Sequence, residues 1–371
     1  VGDNNKNSVF CPMITPTDNG GGVKSTIALM NGLQALGHQV TVVVPKNCAY
    51  LSKLDPEITV LFFEIDPLIS LFRPLRYIKL CKWIFNHFKK AKNNTVYFCS
   101  DRPALMLALF VPKTATILYV SRGWFYTNWS ARFLRMFLFP KVSAFVGISE
   151  KQYCLMKNYA KPNAKVYRIE NGLSMTLKSF IPFQNSTINI ATIGGICKRK
   201  NQWQAIGLIQ LMKDLYPVKL IIFGAPVTAE DKRYMAMLQR IITQNRLDEY
   251  IEIKGYESNF DIIYGQSDIV ISTATEEGFG RTLIEAMSYG IPVIASDKAG
   301  GPSTIINHLS DGLLYDGSLN DLLAKTSLLI GDKVLRKEII NKALEKVRSN
   351  YTEQIMCEKY SNIIEYGTKK N

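Results

Sequence analysis

Two acids, Glu277 and Glu285, flank the run Gly278-Phe279-Gly280-Arg281-Thr282, one in a loop and one within the helix that follows. That spacing puts two carboxylates at different depths of one pocket. A carboxylate accepts two hydrogen bonds from a vicinal diol and does not suit a phosphate. Glycines at 278 and 280 let the backbone approach a ligand closely. The helix start directs unpaired N–H groups into the same space, which favours an anion. Diol-binding acids beside anion-binding amides are what a sugar nucleotide requires. The elements that must position them are readable too. Asp268 to Ser272 is short, apolar and β-branched, as in a central parallel strand covered on both faces. Thr282 to Tyr289 reads as helix, and Gly290-Ile291-Pro292 stops it before the next apolar run, Val293 to Ser296. The acids therefore sit at the carboxyl end of a strand, where open α/β sheets bind ligands.

The string TEEGFGRTLIEAMSYGIPVIAS resembles the Glu-x7-Glu signature of the family-4 retaining glycosyltransferases of the GT-B fold. The resemblance implies an α/β chain of two Rossmann-like domains facing across a cleft, with a C-terminal helix crossing back to the first domain. It assigns Glu277 to the donor sugar and Glu285 to the ribose hydroxyls, with Gly278, Phe279, Gly280, Arg281 and Thr282 in the donor-binding segment. A second stretch, Ile188 to Ile193 followed by Gly194-Gly195-Ile196-Cys197-Lys198-Arg199-Lys200, is a strand leading to glycines and a cationic loop, suited to a departing diphosphate. There the resemblance places the phosphate-binding lysine at Lys200 and leaves Gly195 where the family has an arginine; Lys198 or Arg199 is the neighbouring charge. Tyr256 falls where the family encloses the nucleotide base. The opening GGGVKSTIALMNGLQALGHQVTVVVP resembles the family's first βαβ unit, with Gly21 and Gly22 toward the donor diphosphate. The family's first-domain histidine is replaced in Val120-Ser121-Arg122-Gly123. Arg122 stays protonated, so it can hold an anion or donor hydroxyls but cannot act as a base. Glu277, Lys200 and Arg122 are the expected catalytic residues.

A length of 371 residues suits two domains of ordinary size, and 47% hydrophobic with 20% charged residues excludes a disordered chain. We expect a first, acceptor-binding domain over 1–184, a nucleotide-sugar-binding domain over 185–350 after the polar stretch Gln184 to Thr187, and a final helix in 351–371 that packs back on the first domain. The seven cysteines are scattered, without a Cys-x-x-Cys pair, and the three histidines lack metal-ligand spacing. No Asp-x-Asp occurs, so neither a metal nor another cofactor is expected. No apolar run reaches the roughly 18–20 residues of a spanning helix.

Charge is divided unequally. Residues 1–186 carry 23 Lys and Arg against 9 Asp and Glu, and the remainder carries 22 of each. A negatively charged partner belongs with the first half. Leu68 to Lys92 interleaves Arg73, Arg76, Lys79 and Lys82 with Leu71, Phe72, Ile78 and Trp83, as a basic amphipathic helix on an anionic bilayer would, or equally a core helix with a solvated basic face. Arg122 to Phe139 is a second basic and aromatic stretch. Aliphatics accompany the aromatics and no nucleic-acid motif is evident, so a membrane is favoured over nucleic acid. The expectation is a cytoplasmic enzyme, peripheral on the membrane, that moves a hexose from a nucleotide diphosphate sugar to a glycan or lipid-linked acceptor with retention. The alternatives are a sugar-nucleotide epimerase and a non-catalytic GT-B scaffold at a membrane.

Overall fold

The computed structural model describes residues 7–16, 20–63, 82, 86, 95–112, 115–123, 134–174 and 181–367. The basic stretch 68–92, apart from two isolated helical positions, and residues 124–133 of the second stretch lie outside them. The chain forms two compact units, Val1–Ser174 with Thr352–Asn371, and Met175–Tyr351. The change of unit comes before the polar stretch Gln184 to Thr187, not at 184/185. The reason is local: the Phe183 N–H is held by the Asp268 carboxylate, and the Arg336 guanidinium stacks 3.9 Å from the Phe183 ring centroid, which ties this segment to the second unit.

Among the described residues seven parallel strands form the first sheet: β1 (Ser8–Pro12), β2 (Gln39–Val44), β3 (Thr59–Phe62), β4 (Thr95–Cys99), β5 (Thr116–Ser121), β6 (Ala144–Gly147) and β7 (Lys165–Arg168), in the order β3-β2-β1-β4-β5-β6-β7. Its central strands are buried along their length, which accounts for their unbroken Val, Ile and aromatic runs. Helices α1 (Gly21–Ala35), α2 (Arg102–Leu107) and α3 (Glu150–Tyr159) follow β1, β4 and β6. Asp101 and Ser149 cap α2 and α3 by accepting from the N–H groups of Ala104 and Gln152.

Six parallel strands form the second sheet, in the order β10-β9-β8-β11-β12-β13: β8 (Ile188–Ile193), β9 (Val218–Phe223), β10 (Ile251–Gly255), β11 (Ile269–Ser272), β12 (Val293–Ser296) and β13 (Leu313–Tyr315). Around it run α4 (Gln202–Met212), α5 (Ala229–Gln244), α6 (Phe260–Gly265), α7 (Arg281–Ser288), α8 (Pro302–Ile305), α9 (Leu319–Gly331) and α10 (Lys333–Asn350). Ile190, Leu220, Ile271 and Ile294 of the sheet and Ile206, Leu238 and Leu329 of the helices share one core. Among the described residues no helix is long and apolar enough to cross a membrane.

The last helix, α11 (Glu353–Asn362), groups with the first unit and packs on α1. The two helices touch at Gly32, where an added Cβ would lie 2.2 Å from Cys357 Sγ and 2.9 Å from its Cβ. His38 Nε2 meets Ser361 Oγ at 2.8 Å, and Tyr360 is fully buried with its ring edge-on to Phe98. Because the obstructing atoms include a backbone-fixed Cβ, Gly32→Val should push the helices apart. We expect a loss of about 1–3 kcal/mol, beyond any gain in helix propensity. Thermal and urea unfolding check this, and Cys357→Ala in the same chain should recover part of the loss.

Candidate active site

In the second unit the strand order turns around between β8 and β11, since crossovers from β8 lead one way to β9 and those from β11 lead the other way to β12. A crevice at the carboxyl ends of two such strands is the general ligand position of open parallel sheets. The two loops that leave these strands are stitched together. The Thr273 hydroxyl donates to the carbonyls of Lys200 and Asn201 at 3.1 and 3.0 Å, and Thr275 N–H donates to the Arg199 carbonyl at 2.9 Å.

Their charged side chains meet at the centre. Lys200 Nζ donates to Glu277 Oε2 at 2.5 Å, each side chain being 17% exposed, and Arg199 Nη1 lies 3.7 Å from the same oxygen while donating to the Glu276 carbonyl at 2.7 Å. Burial drives the Glu277 carboxyl up, but the Lys200 ammonium, its hydrogen bond, Arg199 and the Gly278 N–H together hold it below the usual glutamate value. Backbone bonds fix the acid in place: Glu277 N–H donates to Ala299 O, and Glu277 O accepts from Gly301 N–H, both at 3.0 Å.

Two glycines are required by this geometry. Gly194 has φ +133°, and an added Cβ would sit 3.1 Å from Lys200 Cε, so a side chain there would displace the lysine. Gly280 caps α7 in the left-handed region, φ +106°, which turns the chain into the helix beside Glu277. Gly195 is different: a Cβ would meet only the Ala225 carbonyl at 3.9 Å, an ordinary contact, so glycine is not demanded there.

Glu285 lies on α7 and is buried, 7% exposed at its side chain. Its Oε2 accepts from the Tyr264 hydroxyl at 3.0 Å and its Oε1 from Arg281 Nε at 3.3 Å. Burial raises the Tyr264 phenol far above its ordinary value, and the Glu285 charge adds to this, so the phenol remains a donor. Tyr264 packs against Tyr289 with centroids 4.9 Å apart and the rings tilted by 32°, and Tyr289 donates to Asp261 at 2.9 Å. Sequence reasoning missed Tyr264. The signal was faint: a tyrosine in the short helix before β11, brought to Glu285 by the chain returning through α7.

Several expectations are modified. Phe279 is 2% exposed with its ring against Tyr351, centroids 5.9 Å apart, so its side chain is core and only its backbone is available to a ligand. Arg281, in the first turn of α7, bonds through Nε to Glu285. Gly21 and Gly22 form the first turn of α1 rather than a loop before it, with Gly20 as the capping residue. Tyr256, expected at the nucleotide base, follows β10 on the far side of β9 from β8 and is 54% exposed. Thr282 lies in the first turn of α7. Gly21, Gly22 and Arg122 belong to the first unit. Arg122 follows β5, where its Nη1 donates to the buried Asn171 side chain at 3.3 Å, and a Cβ on Gly22 would touch its Cδ at 3.6 Å.

Residues 19–176 match the family model described as Glycosyltransferase Family 4, and residues 177–346 match that described as Glycosyl transferases group 1. The poly(ribitol-phosphate) alpha-N-acetylglucosaminyltransferase of Staphylococcus aureus is 28% identical over 196 residues, 51% of this chain and 38% of that protein, so the match spans well under two thirds of that relative. The amylovoran biosynthesis glycosyltransferase AmsD of Erwinia amylovora is 26% identical over 323 residues, 82% of this chain and 87% of that one. Among solved structures, Anabaena HepE in complex with UDP and glucose superposes with a TM-score of 0.82 at 17% identity, covering 96% of this chain and 99% of that one, a likeness of fold.

Proposed function

This chain is a family-4-type glycosyltransferase of the GT-B fold, and on that premise we propose that it moves a hexose from a UDP-sugar to a hydroxyl of a glycan or lipid-linked acceptor, with retention, in cell-surface polysaccharide synthesis. The observation that carries the reading is the convergence of Lys200, Glu277 and the amino end of α7 at the carboxyl ends of β8 and β11, with Glu285 held alongside. Relatives that serve polysaccharide assembly and a neighbour solved with UDP and glucose support the donor and the setting.

In this mechanism the bond from the anomeric carbon to the donor diphosphate breaks first. Charge that develops on the diphosphate is met by Lys200 and by the N–H groups of the first turn of α7. Lys200 leaves Glu277 to do so, which frees the carboxylate to orient the sugar hydroxyls. Glu285, already aimed by Tyr264 and Arg281, accepts from the ribose diol. The acceptor hydroxyl attacks on the face the diphosphate left and passes its proton to the departing phosphate oxygen. Lys200 and the amides supply the positive charge, so the reading calls for no metal, and a chelator should leave the rate unchanged.

Calorimetric titration with UDP and with GDP, followed by release of UDP from a panel of UDP-hexoses, tests this. Binding of UDP without metal supports it; binding of neither nucleotide overturns it. Gly195 adds a separate expectation. Since the position has room for a side chain, Gly195→Arg should fold normally and strengthen UDP binding by about 1 kcal/mol, roughly fivefold, through a second charge-assisted contact to the diphosphate. The same titration measures it.

A further inference from the structure

The second unit holds a cavity that the transfer mechanism does not use. It measures about 320 Å³ and is lined by Gln184 and Asn185 of the entering segment, by Asn189 and Asp268, and by Tyr264 to Ser267 at the end of α6. Asn189 is the second residue of β8, and Asp268 directly precedes β11. The cavity therefore sits at the amino ends of these strands, whereas Lys200 and Glu277 follow their carboxyl ends. About 13 Å of β8 separates Asn189 from Ile193 alone, so a guest here stands behind the donor site and takes no part in the transfer itself.

Asp268 fixes the walls. One of its carboxylate oxygens accepts the Phe183 N–H and the other the Asn189 N–H at 2.7 Å, while the Asp268 N–H donates to the Asn189 carbonyl at 2.8 Å. Phe183 takes φ +64°, a left-handed conformation that costs free energy in a residue with a Cβ, and it is kept there by this bond and by Arg336 against its ring. Ser267 is tied as well, its hydroxyl donating to the Ile263 carbonyl at 2.7 Å. The chain bends around the cavity at a local cost instead of collapsing into it.

The lining decides the guest. Among the described residues around the cavity Asp268 is the one charged group; both of its oxygens are taken, and the charge of Arg336 offsets its own. The side-chain amides of Gln184, Asn185, Asn189 and Gln266 make no hydrogen bond among the described residues. Each amide both donates and accepts. An ion would find no counter-charge there, and burying one unpaired is costly, whereas adjacent hydroxyls can give to and take from such amides. The volume lies at the low end of small-molecule sites and takes one or two sugar rings.

One residue links this cavity to the donor site. Tyr264 contributes to its lining, has a fully buried side chain, and donates from its hydroxyl to Glu285 Oε2 at 3.0 Å. We propose that the cavity is an effector site for an uncharged small saccharide, held by the four amides, and that its occupant steadies the end of α6 and with it the Tyr264 hydroxyl that aims Glu285. The coupling rests on the transferase reading above, in which Glu285 accepts from the ribose; the binding does not. Coupling between two sites is reciprocal, so saccharide and UDP should each tighten the other by about fivefold.

The test is calorimetry on the full chain with methyl α-D-glucoside and N,N′-diacetylchitobiose as probes, with and without UDP, alongside amide resonances of the deuterated, ¹⁵N-labelled protein. At least one saccharide should bind and move the amides of Asn189, Gly265, Gln266 and Ser267, and inorganic phosphate should not. Asn189→Ala and Gln266→Ala lie outside the transfer machinery and leave the backbone bonds in place; each should weaken the saccharide about tenfold without changing the affinity for UDP alone. Tyr264→Phe keeps the ring and removes the hydroxyl, so the saccharide should still bind while its effect on UDP disappears. No response of these amides to either saccharide, full binding in both amide variants, or a UDP affinity indifferent to bound saccharide in the wild type would overturn the proposal. UDP binding without a saccharide response removes the effector site alone. A saccharide that moves these amides in a chain that does not bind UDP removes the transferase reading and leaves the binding site standing.

Discussion

Glu277→Gln is expected to lower the turnover of sugar transfer by about 10²–10³ while leaving UDP affinity unchanged or slightly improved. The substitution keeps the shape of the side chain and the backbone bonds to Ala299 and Gly301, so the loop should hold its course. What disappears is the charge that orients the sugar and that holds Lys200 in the free enzyme. A lysine released from its partner is free to meet diphosphate, which is why nucleotide binding does not suffer. Turnover falling without a rise in KM marks an interaction made in the transition state, and steady-state rates at saturating donor read it directly.

The same variant has a stability cost of about 1–2 kcal/mol, discounted because both partners keep some contact with solvent. The sign with pH is fixed by the direction of the Glu277 shift. A carboxyl held below its ordinary value of 4.5 contributes stability that is full above that value and is lost as pH falls through the lower, folded one. The stability difference between wild type and Glu277→Gln should therefore be constant at neutral pH and close in acid. Thermal unfolding over pH 3–7 measures it.

Glu285→Ala has the second large effect, and here affinity is lost rather than turnover alone. Removal of the acceptor for a ribose diol should weaken UDP by about 2–3 kcal/mol, on the order of 10²-fold. The variant also strands the buried Tyr264 hydroxyl and takes a partner from Arg281 Nε, which should reduce folding stability by about 1–3 kcal/mol. The two consequences can be separated. In Glu285→Ala with Tyr264→Phe the orphaned hydroxyl is gone, so stability should rise again while UDP binding stays weak. Calorimetry with UDP and urea denaturation, run on the same three proteins, would show both.

The second-unit site was legible because its chemistry is written locally. Glu277, Gly280 and Glu285 lie within one strand-loop-helix passage, and Lys200 follows another, so strand placement alone sets their neighbourhood. Tyr264 was not legible. Its role comes from the return of the chain through α7, which brings Glu285 to its hydroxyl from 21 positions away, and no spacing in the chain records it. The edge strands β3 and β7 are faint in the sequence because each has only four residues, exposed at both ends. The polar run Gln184 to Thr187 has a linker's composition, yet Phe183 just before it is pinned by Asp268 and Arg336, contacts that composition does not reveal.

The contact between Gly32 and Cys357 also has a consequence for biosynthesis. The α11 surface that covers α1 is translated after the entire second unit, with Cys357 and Ala28 separated by 329 positions. At roughly 5–20 residues per second, α1 waits about 15–65 s on the ribosome for its cover. During that interval its face around Gly32 is an exposed apolar strip that a chaperone can occupy. The second unit, contiguous in sequence, can close on itself first, so the part of the protein made earlier is the part that finishes later.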